Sequence, residues 1–132
     1  MSSQSSQKTA TPRRSALYMP GANARALEKA RTLDADCLLL DLEDAVAPDA
    51  KTQARAQVCA ALSHDGYGAR EVVVRVNGLD TPWGRDDMAA LAALSEGPGQ
   101  CPHGVLVPKI SKVEDIDAAR AQLPAGLDLW IM

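Results

Sequence analysis

The sequence contains no phenylalanine, and its few Trp and Tyr residues bring the aromatic content to only 3% of 132 residues. That argues against a stacking platform for single-stranded nucleic acid. Positive charge is not in excess either: 14 Lys and Arg stand against 17 Asp and Glu, a formal net charge of −3. Binding carried by phosphate neutralisation is therefore not expected. Cysteine is scarce, and Cys37, Cys59 and Cys101 are widely spaced with no Cys-x-x-Cys pair, so neither a disulfide framework nor a zinc cluster is indicated. No apolar run approaches the ~20 residues that cross a bilayer, and the run at 16–19 is too short for a signal-peptide core. Gly-x-Gly-x-x-Gly, a Walker A loop and a nucleophile elbow are all missing, so no nucleotide cofactor is indicated. These absences predict a soluble, cytoplasmic protein whose partners are small molecules, with no nucleic acid and no membrane.

What is present is a 46% hydrophobic chain of the length of one globular domain. Residues 1–12 are rich in Ser, Thr and Gln without apolar periodicity and read as a disordered tail, leaving a domain over 13–132. Within it short apolar runs at 16–19, 37–42, 72–76, 105–107 and 127–132 alternate with stretches of helix formers at 24–32, 49–62, 86–94 and 113–123. In the second helix Ala54, Val58, Ala61 and Leu62 form one apolar stripe, with Lys51, Gln53, Arg55 and Gln57 mostly off it. Pro48 precedes that helix, and Gly66, Gly97 and Pro124 punctuate the ends of others.

The βαβαβαβαβ order predicts an α/β fold with a parallel sheet and right-handed crossovers. A flavodoxin-like sheet would be complete at this length, whereas a (β/α)8 barrel needs roughly 250 residues. The apolar strand that closes the sequence favours the first five strands of a barrel.

Either architecture places ligands at the carboxyl ends of the strands. Those ends read Tyr18-Met-Pro-Gly21, Asp41-Leu-Glu-Asp44, Arg75-Val-Asn77 and Pro108-Lys109. Arg75 lies inside Val72-Val-Val-Arg-Val76, where a buried guanidinium needs an anion. It is either a fork for a substrate carboxylate or oxyanion or an internal partner of Asp41, Glu43 or Asp44. Period-two alternation puts Asn77 on the same face as Arg75.

The three acids Asp41, Glu43 and Asp44 suit a divalent cation, the orientation of metal-bound water, or acid–base work. A solvated loop with Asp44 or Asp49 capping the next helix is the plainer reading. Arg25 and Lys29, at i and i+4 on one helix face with free N–H groups at its start, could attract phosphate; a solvated basic face with Glu28 nearby is the alternative. Trp83 reads as a loop anchor, an interface contact or a lid. Cys101 and His103 flank a proline and are weak metal candidates, and His64 reads as exposed.

Together, Arg14-Ser-Ala-Leu-Tyr-Met-Pro-Gly21, Asp36-Cys-Leu-Leu-Leu-Asp-Leu-Glu-Asp-Ala-Val46, Lys51 with Ala54-Arg55, Arg75-Val-Asn77 and Val107-Pro-Lys109 resemble successive signatures of the citrate lyase beta-subunit-like family. That family groups with malyl-CoA, citramalyl-CoA and citryl-CoA lyases in the HpcH/HpaI aldolase superfamily. The resemblance implies a (β/α)8 TIM barrel, here its first five strands, usually a homotrimer. It also implies a carbon–carbon lyase that joins or splits an acyl-CoA and a 2-oxo acid with Mg²⁺.

By resemblance, Arg75 holds the oxo acid and the developing enolate. Tyr18, Arg25 and Lys29 contact the CoA substrate, with Arg14 serving CoA phosphate. Glu43, Asp44 and Lys109 lie behind the metal site, Glu43 also as a catalytic candidate. The same resemblance places the Mg²⁺ ligands, a Glu after the fifth strand and an Asp after the sixth, beyond Met132, and draws the acid–base group from a neighbouring subunit. The 132 residues alone are then expected to be inactive. Two further readings are a non-catalytic CoA- or anion-binding half barrel and a CoA-independent, pyruvate-type class II aldolase.

Overall fold

The structure, a computed structural model, describes residues 13–64, 66–97 and 99–132; the tail expected over 1–12 lies outside them. Strand β1 (Ala16–Pro20) leads into α1 (Ala24–Lys29), extended by a 3₁₀ turn, Ala30–Thr32. Next come β2 (Cys37–Asp41), a 3₁₀ turn at Pro48–Ala50 and the long helix α2 (Lys51–His64). The remaining elements are β3 (Glu71–Arg75), α3 (Gly84–Leu94), β4 (Gly104–Val107), α4 (Val113–Gln122) and β5 (Asp128–Ile131).

All five strands pair in parallel in the order β1-β2-β3-β4-β5. This order decides between the two expected architectures. A flavodoxin-like sheet runs 2-1-3-4-5, whereas a barrel lays each strand beside its predecessor.

The sheet has two apolar faces because its strands have period-two side chains and neighbours on both sides. One face meets the helices in a large cluster holding Leu38, Leu40, Val72, Val74, Val105 and Val107 with Leu27, Val58 and Leu91. The other face, the lumen, gathers Cys37, Leu39, Val73 and Leu106 with Trp130 against them. Every residue of β2, β3 and β4 is buried, as their uninterrupted apolar runs predict.

Curvature is visible across the lumen. The Arg13 guanidinium, at the head of β1, stacks 4.9 Å from the Trp130 ring of β5. It also forms a fork with Glu71 of β3 at 2.6 and 2.8 Å. Side chains from alternate strands thus meet in a layer, the packing of a barrel interior. Gly66, at φ +64, closes α2 with its N–H on the Ala61 carbonyl at 3.1 Å, a left-handed stop that suits glycine.

Candidate active site

Parallel register sets up the centre of the site. Asp41 and Arg75 end their strands as direct partners, in phase with the lumen residues Leu39 and Val73. Arg75 Nε donates to Asp41 Oδ1 at 2.8 Å and Nη2 donates to Oδ2 at 2.7 Å. Of the two roles open to Arg75, the internal ion pair is therefore present, with Asp41 as its partner. Burial pushes the Asp41 carboxyl up, but the hydrogen bonds from Arg75 and from the Glu43 and Ala45 N–H groups outweigh it and hold it below the usual range. The same hydrogen bond raises Arg75.

Half of the guanidinium remains uncommitted. Among the described residues, Nη1 meets only the Met132 Sδ at 3.7 Å, a weak acceptor. The Tyr18 ring lies over the guanidinium at 4.7 Å, so Tyr18, Arg75 and Met132 from alternate strands enclose one polar edge.

Glu43 is 13% exposed at its side chain, with Oε1 3.7 Å from Arg75 Nε and Oε2 3.7 Å from Lys109 Nζ. Among the described residues no hydrogen-bond donor reaches its carboxylate oxygens, so they are open to water or ligand. Lys109 itself adopts a left-handed φ of 61, which carries its side chain back toward Glu43.

The loop bearing Glu43 is held from both sides. Asp41 Oδ1 accepts Glu43 N–H at 2.8 Å and Oδ2 accepts Ala45 N–H at 3.0 Å. From α2, Lys51 Nζ donates to the carbonyls of Leu42 at 3.1 Å and Glu43 at 2.7 Å, with the Trp83 ring 5.4 Å away. Burial lowers the Lys51 ammonium. Reading Lys51 as off the apolar stripe is thus corrected: positions 51, 54, 58 and 62 are the four buried residues of α2, and that spacing was available in the sequence.

Several expected members lie elsewhere. Arg14 precedes β1 and forks onto Asp36, at 3.1 Å for both Nε and Nη2. In a parallel sheet that is the amino end, opposite the rim carrying Arg75, so the structure does not place Arg14 with the site. Asn77 does not share Arg75's surroundings, because β3 ends at Arg75 and the alternation lapses there. Its amide donates to Asp87 of α3 at 2.7 Å, which also pairs with Arg55 at 2.8 Å.

Asp44 is exposed at the loop surface, and the 3₁₀ turn at Pro48–Ala50 begins at Ala47 with no side-chain cap from Asp44 or Asp49. Arg25 and Lys29 are exposed on α1, with Glu28 paired to Arg31 instead. The start of α1 is already satisfied, Asn23 Oδ1 accepting Ala26 N–H at 3.0 Å. His103 Nδ1 accepts Val72 N–H at 3.0 Å, a structural use at the amino end. Burial pushes the Cys37 thiol up to about 11.

Among the described residues no group of three or more His, Cys, Asp or Glu converges as a metal centre. Asp41 is saturated, and Glu43 is the one acid of the loop with both burial and open oxygens. The residues described do not compose a magnesium coordination sphere.

The sequence profile of a family described as HpcH/HpaI aldolase/citrate lyase matches residues 14–125. A (3S)-malyl-CoA thioesterase of Cereibacter sphaeroides is 47% identical over 123 residues, covering 93% of this chain and 41% of that protein. An L-malyl-CoA/beta-methylmalyl-CoA lyase of the same organism is 39% identical over 117 residues, covering 88% and 36% respectively. The citrate lyase beta subunit of M. tuberculosis, solved with oxaloacetate and magnesium, superposes with a TM-score of 0.65 at 27% identity, over 88% of this chain and 45% of that one. The chain spans less than half the length of these relatives.

Proposed function

The chain belongs to the HpcH/HpaI aldolase/citrate lyase family, and from that membership we propose that it is part of an enzyme acting on a malyl-CoA-type 3-hydroxyacyl-CoA thioester. The observation that carries this reading is the Arg75 guanidinium, oriented by Asp41 yet, among the described residues, with its Nη1 edge committed only to a sulfur. A rigid, partly desolvated fork of this kind suits a carboxylate or a developing oxyanion.

Arg75 grips the acid end of the substrate, and Tyr18 walls it. Glu43, with open oxygens between two cations, orients water or takes part in proton transfer. Lys109 keeps Glu43 company at the rim. The exposed cations Arg25 and Lys29 meet the phosphates of CoA. Magnesium, when bound, would add Lewis-acid stabilisation of the oxyanion.

Two net reactions share this binding mode. The relatives at 47% identity, named malyl-CoA thioesterases, favour hydrolysis to malate and CoA. The relatives named malyl-CoA lyases favour a second reading, retro-Claisen cleavage to acetyl-CoA and glyoxylate. A trimeric assembly, expected from the family resemblance, is part of the proposal for the whole enzyme.

The test is to incubate the native gene product with malyl-CoA and Mg²⁺ and assay free thiol and glyoxylate in parallel. Thiol without glyoxylate establishes hydrolysis, and glyoxylate with retained thioester establishes cleavage. Formation of neither product contradicts the proposal and leaves a non-catalytic module. Turnover of free pyruvate aldols in its place supports the CoA-independent aldolase.

A further inference from the structure

Resting on the reading just given, the geometry points to Asp41 as the positioning residue that selects which edge of Arg75 meets the substrate and sets the place of Glu43, remaining in place when the anion binds. Asp41 is only 1% exposed, and its two oxygens each accept two hydrogen bonds. Oδ1 takes Arg75 Nε at 2.8 Å and Glu43 N–H at 2.8 Å. Oδ2 takes Arg75 Nη2 at 2.7 Å and Ala45 N–H at 3.0 Å.

An incoming anion that displaced this carboxylate would also break its bonds to two part-buried backbone N–H groups of the turn, which adds to the cost of moving it. Displacement of Asp41 by substrate, a mode that a bare Arg–carboxylate pair would allow, is therefore disfavoured. The remaining hydrogens of Nη1 and Nη2 form the other side of the fork, where Met132 Sδ is the one partner among the described residues and the Tyr18 ring covers a face of the guanidinium. A planar carboxylate docks there, coplanar with the guanidinium.

The same four bonds tie two functions to one group. The carboxylate that aims the cation also accepts the Glu43 N–H, and Lys51 holds the outer side of that turn through the Leu42 and Glu43 carbonyls. The 3.7 Å separation of Arg75 Nε and Glu43 Oε1 is thereby fixed by Asp41. Asp41 touches no substrate and acts through these two residues.

The experiment combines kinetics with arginine side-chain NMR on the native gene product. Malyl-CoA turnover is compared for wild type, Asp41→Asn, Asp41→Glu and Leu62→Ala, the last a truncation of a fully buried residue near the carboxyl end of α2. Positioning predicts that Asp41→Asn lowers kcat/KM by about a hundredfold with KM raised, the scale of a misplaced binding group. Asp41→Glu, which keeps the charge, recovers part of the loss, whereas Leu62→Ala lowers the folded fraction and leaves KM unchanged. Equal kinetic behaviour of Asp41→Asn and Leu62→Ala overturns the assignment.

Independently of turnover and of whether Asp41→Asn folds, wild-type protein is titrated with glyoxylate while the Arg75 Nε and Nη resonances are followed. Shifts confined to Nη uphold the assignment; shifts of Nε as large as those of Nη, or none at either, overturn it. If wild type consumes no malyl-CoA, the functional reading fails by itself, and the glyoxylate titration still decides the role of Asp41.

Discussion

Asp41 and Arg75 are the residues on which stability and chemistry meet. Removing one partner of a buried pair leaves the other uncompensated, so Arg75→Ala is expected to destabilise the fold by ~3–5 kcal/mol, read by urea unfolding. The sign of the pH dependence follows from the carboxyls. Asp41 is held low despite burial by Arg75 and two N–H groups, and Glu71 is held low by the Arg13 fork. Groups whose folded pKa is depressed bind more protons once unfolded, so their stabilisation is present above the ordinary carboxylate range of about 4 and is lost as pH falls through it. The urea midpoint should stay level from neutral pH to about 5 and then decline; a midpoint that rises on acidification contradicts the assignment. Arg75 was legible from sequence because a charged residue interrupted a buried apolar strand. Its partner was one of three candidates until register placed Asp41 opposite it; Arg14, named through the family resemblance, lies at the amino end of β1 against Asp36, the end that its place before the run at 16–19 implies.

At the scale of elements, the β1–α1 turn and α2 set the geometry of the rim. A Cβ added at Gly21 would lie 2.7 Å from the Asp41 carbonyl and 3.0 Å from side-chain atoms of Leu42 and Val58. Backbone cannot yield there, so Gly21→Ala is expected to cost ~1–3 kcal/mol through overpacking, measured as a lowered urea midpoint; an unchanged midpoint contradicts this packing. Each strand and helix was legible to within a few residues because apolar runs of the buried strands and the helix-forming stretches between them differ sharply in composition. Asn77 was not, since alternation holds only while the strand lasts. Lys51 was hidden by its type: a lysine in phase with Ala54 and Val58 is read as solvent-facing until the carbonyls that receive it are seen.

The molecule as a whole presents two sheet edges, β1 and β5, that carry exposed apolar side chains: Leu17 at 37%, Ile131 at 50% and Met132 at 59% exposure. Open parallel edges pair readily, so the 132-residue chain is expected to self-associate with rising concentration in sedimentation, and Ile131→Lys is expected to weaken that association. A monomer at all concentrations contradicts the prediction. Alternation predicted a parallel sheet without its order; the closing apolar strand and the family resemblance favoured a barrel over a flavodoxin-like sheet, and the strand order β1-β2-β3-β4-β5 bears that out.

The reading of the site rests on the uncommitted edge of Arg75, and one comparison tests it directly. Malyl-CoA consumption is measured for wild type and Arg75→Lys at equal folded concentration, the lysine keeping the charge but not the planar fork. The rate is predicted to fall by about a hundredfold or more; an unchanged rate would show that the guanidinium serves the fold alone.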